Sequence, residues 1–333
     1  MELMWRLACC VLLAAYGARG ASAQCPWNRN VASLQGACAC SYNLAQELTL
    51  QCGAVDFGVL LNTLKEYAGG QTIDLLYVHN SSVLELRDGT FKHVRINNIQ
   101  LSRCDIRRIG PTAFQGQEDS LKNLNLQDNM LSSIPVEALR PLSNLALLDL
   151  SGNRISQVPD DAFATLRLTT LKLADNNITL SENALRGLDK TLKNLNLKGT
   201  RLRNIPPGVR NLPQLAFLDL AHNNIRNLSA GVLSRLDSLS AINLERNFIQ
   251  VLEPDAFTGV NDTLSSLSLL NNLITEFPTQ ALSSLTELRV SSSRLVRHCS
   301  LRMNEILRTI LSLSLVRLPN KREKWGDTFF PIN

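Results

Sequence analysis

Apolar residues recur along this chain in a fixed pattern that contains one small polar position. Residues 145–155 (Leu-Ala-Leu-Leu-Asp-Leu-Ser-Gly-Asn-Arg-Ile) show it most clearly, and Leu148 is what we call the central position. The segment occurs ten times, and neighbouring central positions are 21 to 25 residues apart. A regular period of this length predicts a solenoid of stacked repeats. We number the repeats 1 to 10 by their central residues: Leu76, Ile99, Leu124, Leu148, Leu171, Leu195, Leu218, Ile242, Leu267 and Leu288.

The residues around each central position predict a short strand, because inward and outward side chains alternate along a strand. In repeat 4, Leu148 and Leu150 are expected to point into the solenoid. Leu147, Asp149 and Ser151 have the opposite parity and are expected to face solvent. One strand from each repeat would stack into a parallel sheet.

The fifth residue after each central position is asparagine in six of the ten repeats, and we call it the ladder position. An amide side chain both donates and accepts, so it can satisfy backbone groups that the turn would otherwise bury unpaired. Cys104 occupies this position in repeat 2, where we expect a buried structural thiol. The asparagines are Asn129, Asn153, Asn176, Asn223, Asn247 and Asn272, and the remaining repeats have Ser81, Thr200 and Ser293.

The second half of each repeat predicts a short helical or irregular segment on the convex side. A proline, such as Pro135 or Pro159, bends the chain away from the sheet, and pairs such as Ala162-Phe163 supply small and bulky anchors. The predicted fold class is therefore α/β: a leucine-rich repeat solenoid shaped as a right-handed horseshoe with a concave parallel β-sheet. A disulfide-tied N-terminal cap completes this expectation.

The first 23 residues have the pattern of a secretory signal peptide. Arg6 precedes an apolar run from Leu7 to Tyr16, and residues 21–23 (Ala-Ser-Ala) offer a cleavage site. A membrane anchor is the alternative, but the run is shorter than the roughly 20 apolar residues that a span needs. We expect residues 1–23 to be removed and the protein to be secreted without a membrane span.

Four cysteines directly before the first repeat indicate the cap. Cys25, Cys38, Cys40 and Cys52 lie close together in a chain that is expected to be secreted, which predicts two disulfides. A zinc site is the alternative, but the group lacks a CxxC pair and nearby histidines. Four cysteines allow three pairings, and their spacing does not choose among them. The cap is assigned to residues 24–60 and would cover the first coil of the array.

The basic charge of the chain belongs to its C-terminal end. The whole chain carries a formal net charge of +5, and residues 294–333 hold eight Lys or Arg against three Asp or Glu. The signal segment adds +1, which leaves −1 for residues 24–293. A nearly neutral repeat array argues against nucleic acid as its partner.

The sequence contains no pattern that predicts catalysis. Its four histidines are scattered, and it has no glycine-rich phosphate loop and no GxSxG segment. An enzyme needs convergent ionisable groups. We therefore expect no catalytic, metal or cofactor site, and we classify the protein as a non-enzyme.

The concave sheet is the surface that is expected to bind a partner. Its outward positions are polar and of mixed charge, without the stripe of one sign that would capture a polyanion. The alternative is a solvated concave face, with the partner bound to an edge or to the convex side. The candidate binding residues are Asp149, Lys172, Asn196, Phe217, Asp219, Asn243 and Arg289.

Four acceptor sequences for N-linked glycans fit a secreted protein. They begin at Asn80, Asn177, Asn227 and Asn261. A glycan on Asn80 would lie at the concave rim of repeat 1 and obstruct that end. This favours the middle and C-terminal repeats as the contact region.

The cysteine cap and repeats such as residues 145–163 resemble animal extracellular leucine-rich repeat proteins of the typical 24-residue class, most closely the arthropod chaoptin and artichoke group. The resemblance covers roughly residues 24–295. It implies pairing of Cys25 with Cys40 and of Cys38 with Cys52. It also implies a role in cell adhesion or the extracellular matrix, with a cell-surface or matrix glycoprotein, or a second copy of the chain, as partner.

The pattern stops after repeat 10, so the array is assigned to residues 61–295 and a basic tail, helical or disordered, to residues 296–333. One interpretation is that the tail folds over the open end of the array, and the other is that it comes from a truncated transcript or a misread splice junction.

For function, the alternative to adhesion is the ligand-binding ectodomain of a Toll-like receptor that ends before its membrane span.

Overall fold

A computed structural model describes residues 25–27, 31–276 and 278–288. The predicted signal segment, Arg289, Ser293 and the tail lie outside the described residues. The strands, in chain order, are β1 (Cys38–Tyr42), β2 (Leu48–Gly53), β3 (Thr72–His79), β4 (Glu85–Leu86), β5 (Arg95–Ser102), β6 (Arg108–Ile109), β7 (Asn123–Asn125), β8 (Leu147–Asp149), β9 (Gln157–Val158), β10 (Thr170–Lys172), β11 (Thr179–Leu180), β12 (Asn194–Asn196), β13 (Phe217–Asp219), β14 (Asn227–Leu228), β15 (Ala241–Asn243), β16 (Val251–Leu252) and β17 (Ser266–Ser268).

Within the described residues, eleven of these strands form one sheet in the order β1-β2-β3-β5-β7-β8-β10-β12-β13-β15-β17. β1 and β2 are antiparallel, and every later neighbour is parallel. The register aligns central positions, so that Leu171 lies between Leu148 and Leu195. The predicted class, a solenoid with one parallel strand per repeat, is confirmed.

The convex side is irregular, as predicted. Among the described residues, its regular elements are the helices α2 (Val136–Leu139) and α3 (Thr279–Ser283) and a 3-10 helix (Pro207–Asn211). The paired strands β4–β6, β9–β11 and β14–β16 form small two-stranded sheets on the side where the chain leaves the main sheet. We call this side the exit flank, for example residues 154–158, and we call the side that precedes the strand the approach flank, for example residues 142–146.

One continuous apolar core runs through the repeats. Leu148 and Leu150 are fully buried, as the strand parity predicts, and burying each leucine contributes about 1.5–3 kcal/mol relative to leaving it exposed. On the convex side, Phe91 stacks on Phe114 with ring centroids 5.7 Å apart. The aromatic residues therefore tie neighbouring coils together as the leucines do.

The cap has the two disulfides that the resemblance implied. Cys25 pairs with Cys40 and Cys38 with Cys52, and the second bond joins facing residues of β1 and β2. Helix α1 (Phe57–Ala68) follows, and the side chain of Asp56 accepts a hydrogen bond from Val59 N at its start. Because β2 pairs with β3, the cap extends the repeat sheet rather than forming a separate unit.

The ladder asparagines link each repeat to the one before it. Asn153 Nδ2 donates to Leu150 O (2.9 Å) in its own repeat and to Leu126 O (3.0 Å) in repeat 3. Its Oδ1 accepts from Leu131 N (3.0 Å), also in repeat 3. Asn129, Asn176, Asn223, Asn247 and Asn272 bond in the same manner. The amide thus pairs backbone groups that the buried turn leaves without partners.

The substitutes at the ladder position keep part of this bonding. Ser81 Oγ accepts from Val55 N in the cap (3.1 Å). Cys104 Sγ lies within donor distance of Val78 O (3.5 Å) and Ser102 O (3.4 Å), and Val83 N bonds to the Cys104 carbonyl instead of to a side chain. Burial raises the pKa of the Cys104 thiol, so this group stays protonated, as expected for a structural cysteine.

The residue before the ladder position is left-handed in repeats 1 to 9. In repeat 6 it is Gly199, and a Cβ there would lie 2.2 Å from Asp175 Oδ1 of repeat 5. Gly152 stands in the same relation to Asp128. In these two repeats glycine leaves room for the carboxylate of the preceding coil, whereas residues such as Asp128 and His222 also adopt the left-handed backbone angle.

We expect Asn223→Ala to lower the free energy of unfolding by about 2–4 kcal/mol, measured by urea denaturation. Thr200 N and Leu202 N would lose their acceptor, and each unpaired buried group costs about 1–3 kcal/mol. The neighbouring Asn224 is exposed and provides a matched control, since Asn224→Ala should change stability by less than about 0.5 kcal/mol. Equal losses in the two variants would contradict the structural role of the ladder.

Candidate binding surface

The structure places the predicted concave residues on one face of the main sheet. Lys172, Asn196, Asp219 and Asn243 are aligned in register across β10, β12, β13 and β15. Neighbouring strands lie about 4.8 Å apart, so the four side chains form a continuous row. Asp149 in β8 precedes them in the same row. Phe217 lies two residues before Asp219 and on the same face of the sheet. Arg289 is outside the described residues.

The expectation that Asp149 and Ser151 face solvent was wrong. Asp149 retains only 3% exposure, and Ser151 is also buried. Asp149 Oδ2 lies 3.3 Å from Lys172 Nζ in the next repeat, and Oδ1 accepts a hydrogen bond from Ser151 N (3.0 Å). A cation and a backbone donor therefore hold this carboxylate on the sheet, so it is a structural part of the concave face.

The bond from the Asp149 side chain to the second residue after it recurs along the row. Asn125, Asn196, Asp219 and Asn243 each accept the corresponding backbone N–H at 2.8 to 3.1 Å. Each of these N–H groups belongs to a residue whose two chain neighbours donate their own N–H groups to the next repeat. Lys198, for example, lies between Leu197 and Gly199, whose N–H groups bond to repeat 7. A short Asp or Asn side chain pairs them locally.

Sequence reasoning missed this second structural role. In repeats 1 to 9, the residue directly after the central position is Asp or Asn in five cases, and that recurrence was the available signal. The same bond fixes the side chains that remain able to bind. In the part of the chain that the structure describes, the Nδ2 groups of Asn196 and Asn243 have no hydrogen-bond partner.

Phe217 is the exposed large aromatic residue of the concave face in the described repeats, with 37% exposure. It is aligned with Asn194 and Ala241 in the neighbouring strands. An exposed aromatic ring offers a large apolar contact area at low entropic cost, which is typical of binding hot spots. Repeats 5 to 8 therefore combine an apolar anchor, a cation, a carboxylate and free amide donors.

The N-terminal part of the concave face uses its polar groups internally. Asn98 Nδ2 donates to Asp74 O (2.7 Å), and Asn123 Nδ2 donates to Asn98 Oδ1. The rings of Tyr77 and His79 pack together with centroids 5.1 Å apart. These side chains are therefore partly engaged within the sheet, as is Asn194, whose Nδ2 donates to Thr170 Oγ1 (3.2 Å).

The four glycan acceptor sequences differ in accessibility. Asn80, Asn177 and Asn227 are exposed, and within the described residues their side-chain amides have no partner. Asn261 is half-buried on the approach flank: its Oδ1 accepts from Gly259 N (3.1 Å) and its Nδ2 donates to Ser284 O (3.4 Å). A sugar on Asn261 would have to fit between two repeats.

Other kinds of site receive no support from the described residues. They contain no group of three or more His, Cys, Asp or Glu side chains that could hold a metal ion. No helix in the same part of the chain is long and apolar enough to cross a membrane.

The family model described as Leucine rich repeat matches residues 94–155, 119–178, 143–191, 190–249 and 237–295. Together these overlapping matches cover more than half of the 333 residues.

Two curated relatives match about half of the chain. Leucine-rich repeat-containing G-protein coupled receptor 5 of Rattus norvegicus is 32% identical over 172 residues, which are 51% of this chain and 19% of that protein. Chaoptin of Drosophila melanogaster is 29% identical over 206 residues, which are 60% of this chain and 16% of that protein. The predicted likeness to chaoptin is confirmed, and the chain spans less than a fifth of either relative.

Among solved structures, the crystal structure of the TLR13-ssRNA13 complex has a TM-score of 0.61 and 29% identity to this chain. The match covers 71% of this chain and 33% of that chain.

We expect glycan occupancy to be high at Asn80, Asn177 and Asn227 and lowest at Asn261, because only the first three amides are free. Enzymatic deglycosylation in heavy-oxygen water, followed by peptide mass analysis, measures occupancy at each asparagine. Asn261 occupied as fully as the other three would show that its two hydrogen bonds do not limit modification.

Proposed function

The chain belongs to the leucine-rich repeat family, and from this we propose that it is a secreted or cell-surface, non-enzymatic protein that binds another extracellular protein through the concave face of repeats 5 to 8. The observation that carries the proposal is the exposed Phe217 beside a row of polar side chains fixed in place. The biological role would be cell adhesion or organisation of the extracellular matrix.

The contact surface would be the row Lys172, Asn196, Asp219 and Asn243 together with Phe217. The row alternates a cation, an amide, a carboxylate and an amide at about 4.8 Å intervals. Intramolecular hydrogen bonds already orient the side chains of Asn196, Asp219 and Asn243, so a partner would order little on binding. Mixed charge of this kind favours a folded protein partner over a polyanion.

Three features support an extracellular location. Residues 1–23 have the sequence pattern of a secretory signal peptide. The cap depends on two disulfides, which persist in oxidising compartments. The exposed acceptor asparagines would be modified along the same route.

The second candidate is the ligand-binding ectodomain of a Toll-like receptor, favoured by the structural likeness to the protein in the TLR13-ssRNA13 complex. That protein, by its name, was solved with single-stranded RNA. The net charge of −1 over residues 24–293 of this chain disfavours an RNA ligand, because nucleic-acid binding requires neutralisation of phosphates. A transcript that continues into a membrane span and an intracellular domain would favour the receptor, and one that continues into more repeats would favour adhesion.

We expect the full secreted chain to capture a folded protein in a binding screen against extracellular proteins, including a second copy of itself. Phe217→Ala should weaken that binding roughly thirtyfold, the effect of losing a hot spot worth about 2 kcal/mol. Lys172→Glu should weaken it as well, because it replaces the cation of the row with an anion.

Arg210→Ala is the matched control for this experiment, because Arg210 lies in the convex 3-10 helix and forms an exposed ion pair with Glu182 (2.8 Å). Surface plasmon resonance on each variant measures the dissociation constant. A partner that binds the Phe217 and Lys172 variants as tightly as the unchanged chain would exclude the concave face, and the absence of any protein partner would refute the function.

A further inference from the structure

Three large apolar side chains are exposed together on the exit flank of repeats 8 and 9. Phe248, Val251 and Leu273 keep 49%, 58% and 48% exposure. We call these three residues the flank patch. Exposed apolar side chains that lie together favour contact with another group.

The backbone bonding places Phe248 and Leu273 side by side. Phe248 and Leu273 each directly follow a ladder asparagine, and each N–H bonds to the preceding repeat, to Ile225 O and Ile249 O, at 2.9 Å. They therefore occupy equivalent positions in adjacent coils, about 4.8 Å apart. Val251 follows Phe248 by three residues, in β16.

The residue beside the patch is a glycan acceptor. In the pair β14–β16, Asn227 lies in register with Val251, and both side chains are exposed. Asn227 begins the acceptor sequence Asn227-Leu228-Ser229, and Ser229 is exposed as well. Paired residues of neighbouring strands project to the same side, so a group on Asn227 would begin about 5 Å from Val251.

We propose that Asn227 carries an N-linked glycan whose first sugars pack against Val251 and cover the flank patch. The proposal rests on the proposed secretion of the protein. The modification joins Asn227 Nδ2 to the anomeric carbon of a lipid-linked oligosaccharide; the lipid pyrophosphate leaves with the bonding electron pair, and the amide releases one proton. The C–H face of a sugar ring is apolar and its hydroxyls point outward, so the glycan replaces an apolar surface with a hydrated one.

The exposed acceptor Asn177 lies beside charged rather than apolar side chains. Asn177 occupies the position equivalent to Phe248, and in the neighbouring repeats that position holds Arg154 and Arg201, both exposed. A glycan on Asn177 would therefore stand free in solvent. This contrast makes Asn177 a matched control for the proposed packing role of the glycan on Asn227.

A covered exit flank also restricts how a protein partner can approach. A glycan on Asn227 would occupy the outer side of repeats 7 to 9, adjacent to the proposed contact repeats. Asn261, the acceptor on the approach flank, has an engaged amide. A partner of the concave face would therefore reach it from the approach flank.

The test uses the full chain secreted from eukaryotic cells, with Asn227→Gln and Ser229→Ala as two independent ways to remove the glycan. Asn177→Gln is the control. We expect peptide mass analysis to find Asn227 glycosylated in the unchanged protein. Fluorescence of an apolar dye should roughly double in both Asn227-site variants and stay unchanged in the control. Adding Phe248→Ser and Leu273→Ser to Asn227→Gln should return the fluorescence to its starting level.

Several results would overturn the proposal. An unmodified Asn227, alongside glycans at Asn80 and Asn177, would remove the covering group and leave secretion intact. A modified Asn227 whose removal leaves dye binding unchanged would show that the glycan does not cover the patch. Loss of protein binding in Phe248→Ser, with Asn227 unmodified, would assign the patch to a protein partner. The absence of glycans at all acceptors would instead count against the proposed secretion.

Discussion

The structure depends on how backbone groups are paired at the turn that follows each three-residue strand. The ladder side chain is buried at this turn, and the N–H and C=O groups around it belong to two neighbouring repeats. One amide at the ladder position, such as Asn153, pairs groups in both repeats at once. Because that amide must reach the same atoms each time, the spacing from central leucine to ladder position is constant, whereas the convex segments vary in length and conformation.

Asparagine serves three different purposes in this chain, distinguished by which of its atoms remain free. At the ladder position of Asn223, both ends of the amide are bonded and nothing is available to a partner. On the concave row, Asn196 uses its oxygen for the backbone and keeps its nitrogen free. At Asn227 the whole amide is exposed. The capacity of the surface to bind or to be modified therefore follows from position in the repeat rather than from residue type.

The repeat period, the inward leucines and the ladder asparagines could all be predicted from the sequence, because each is a local requirement repeated many times. The pairing of Cys25 with Cys40 needed a family resemblance, since spacing permits three arrangements. The burial of Asp149 could not be predicted from strand parity, because it depends on Lys172 in the next coil. The flank patch was also missed, since Phe248 and Leu273 are distant in sequence and become neighbours only through the register.

The ladder bonds have a direction along the chain. Each asparagine completes the repeat that precedes it, and Ser81 does the same for Val55 in the cap. A ribosome releases the chain from its N-terminus, so the cap emerges first and each new coil supplies the side chain that closes the turn behind it. Each turn is therefore completed only when the following coil is in place, and the first coil rests on the disulfide-bonded cap.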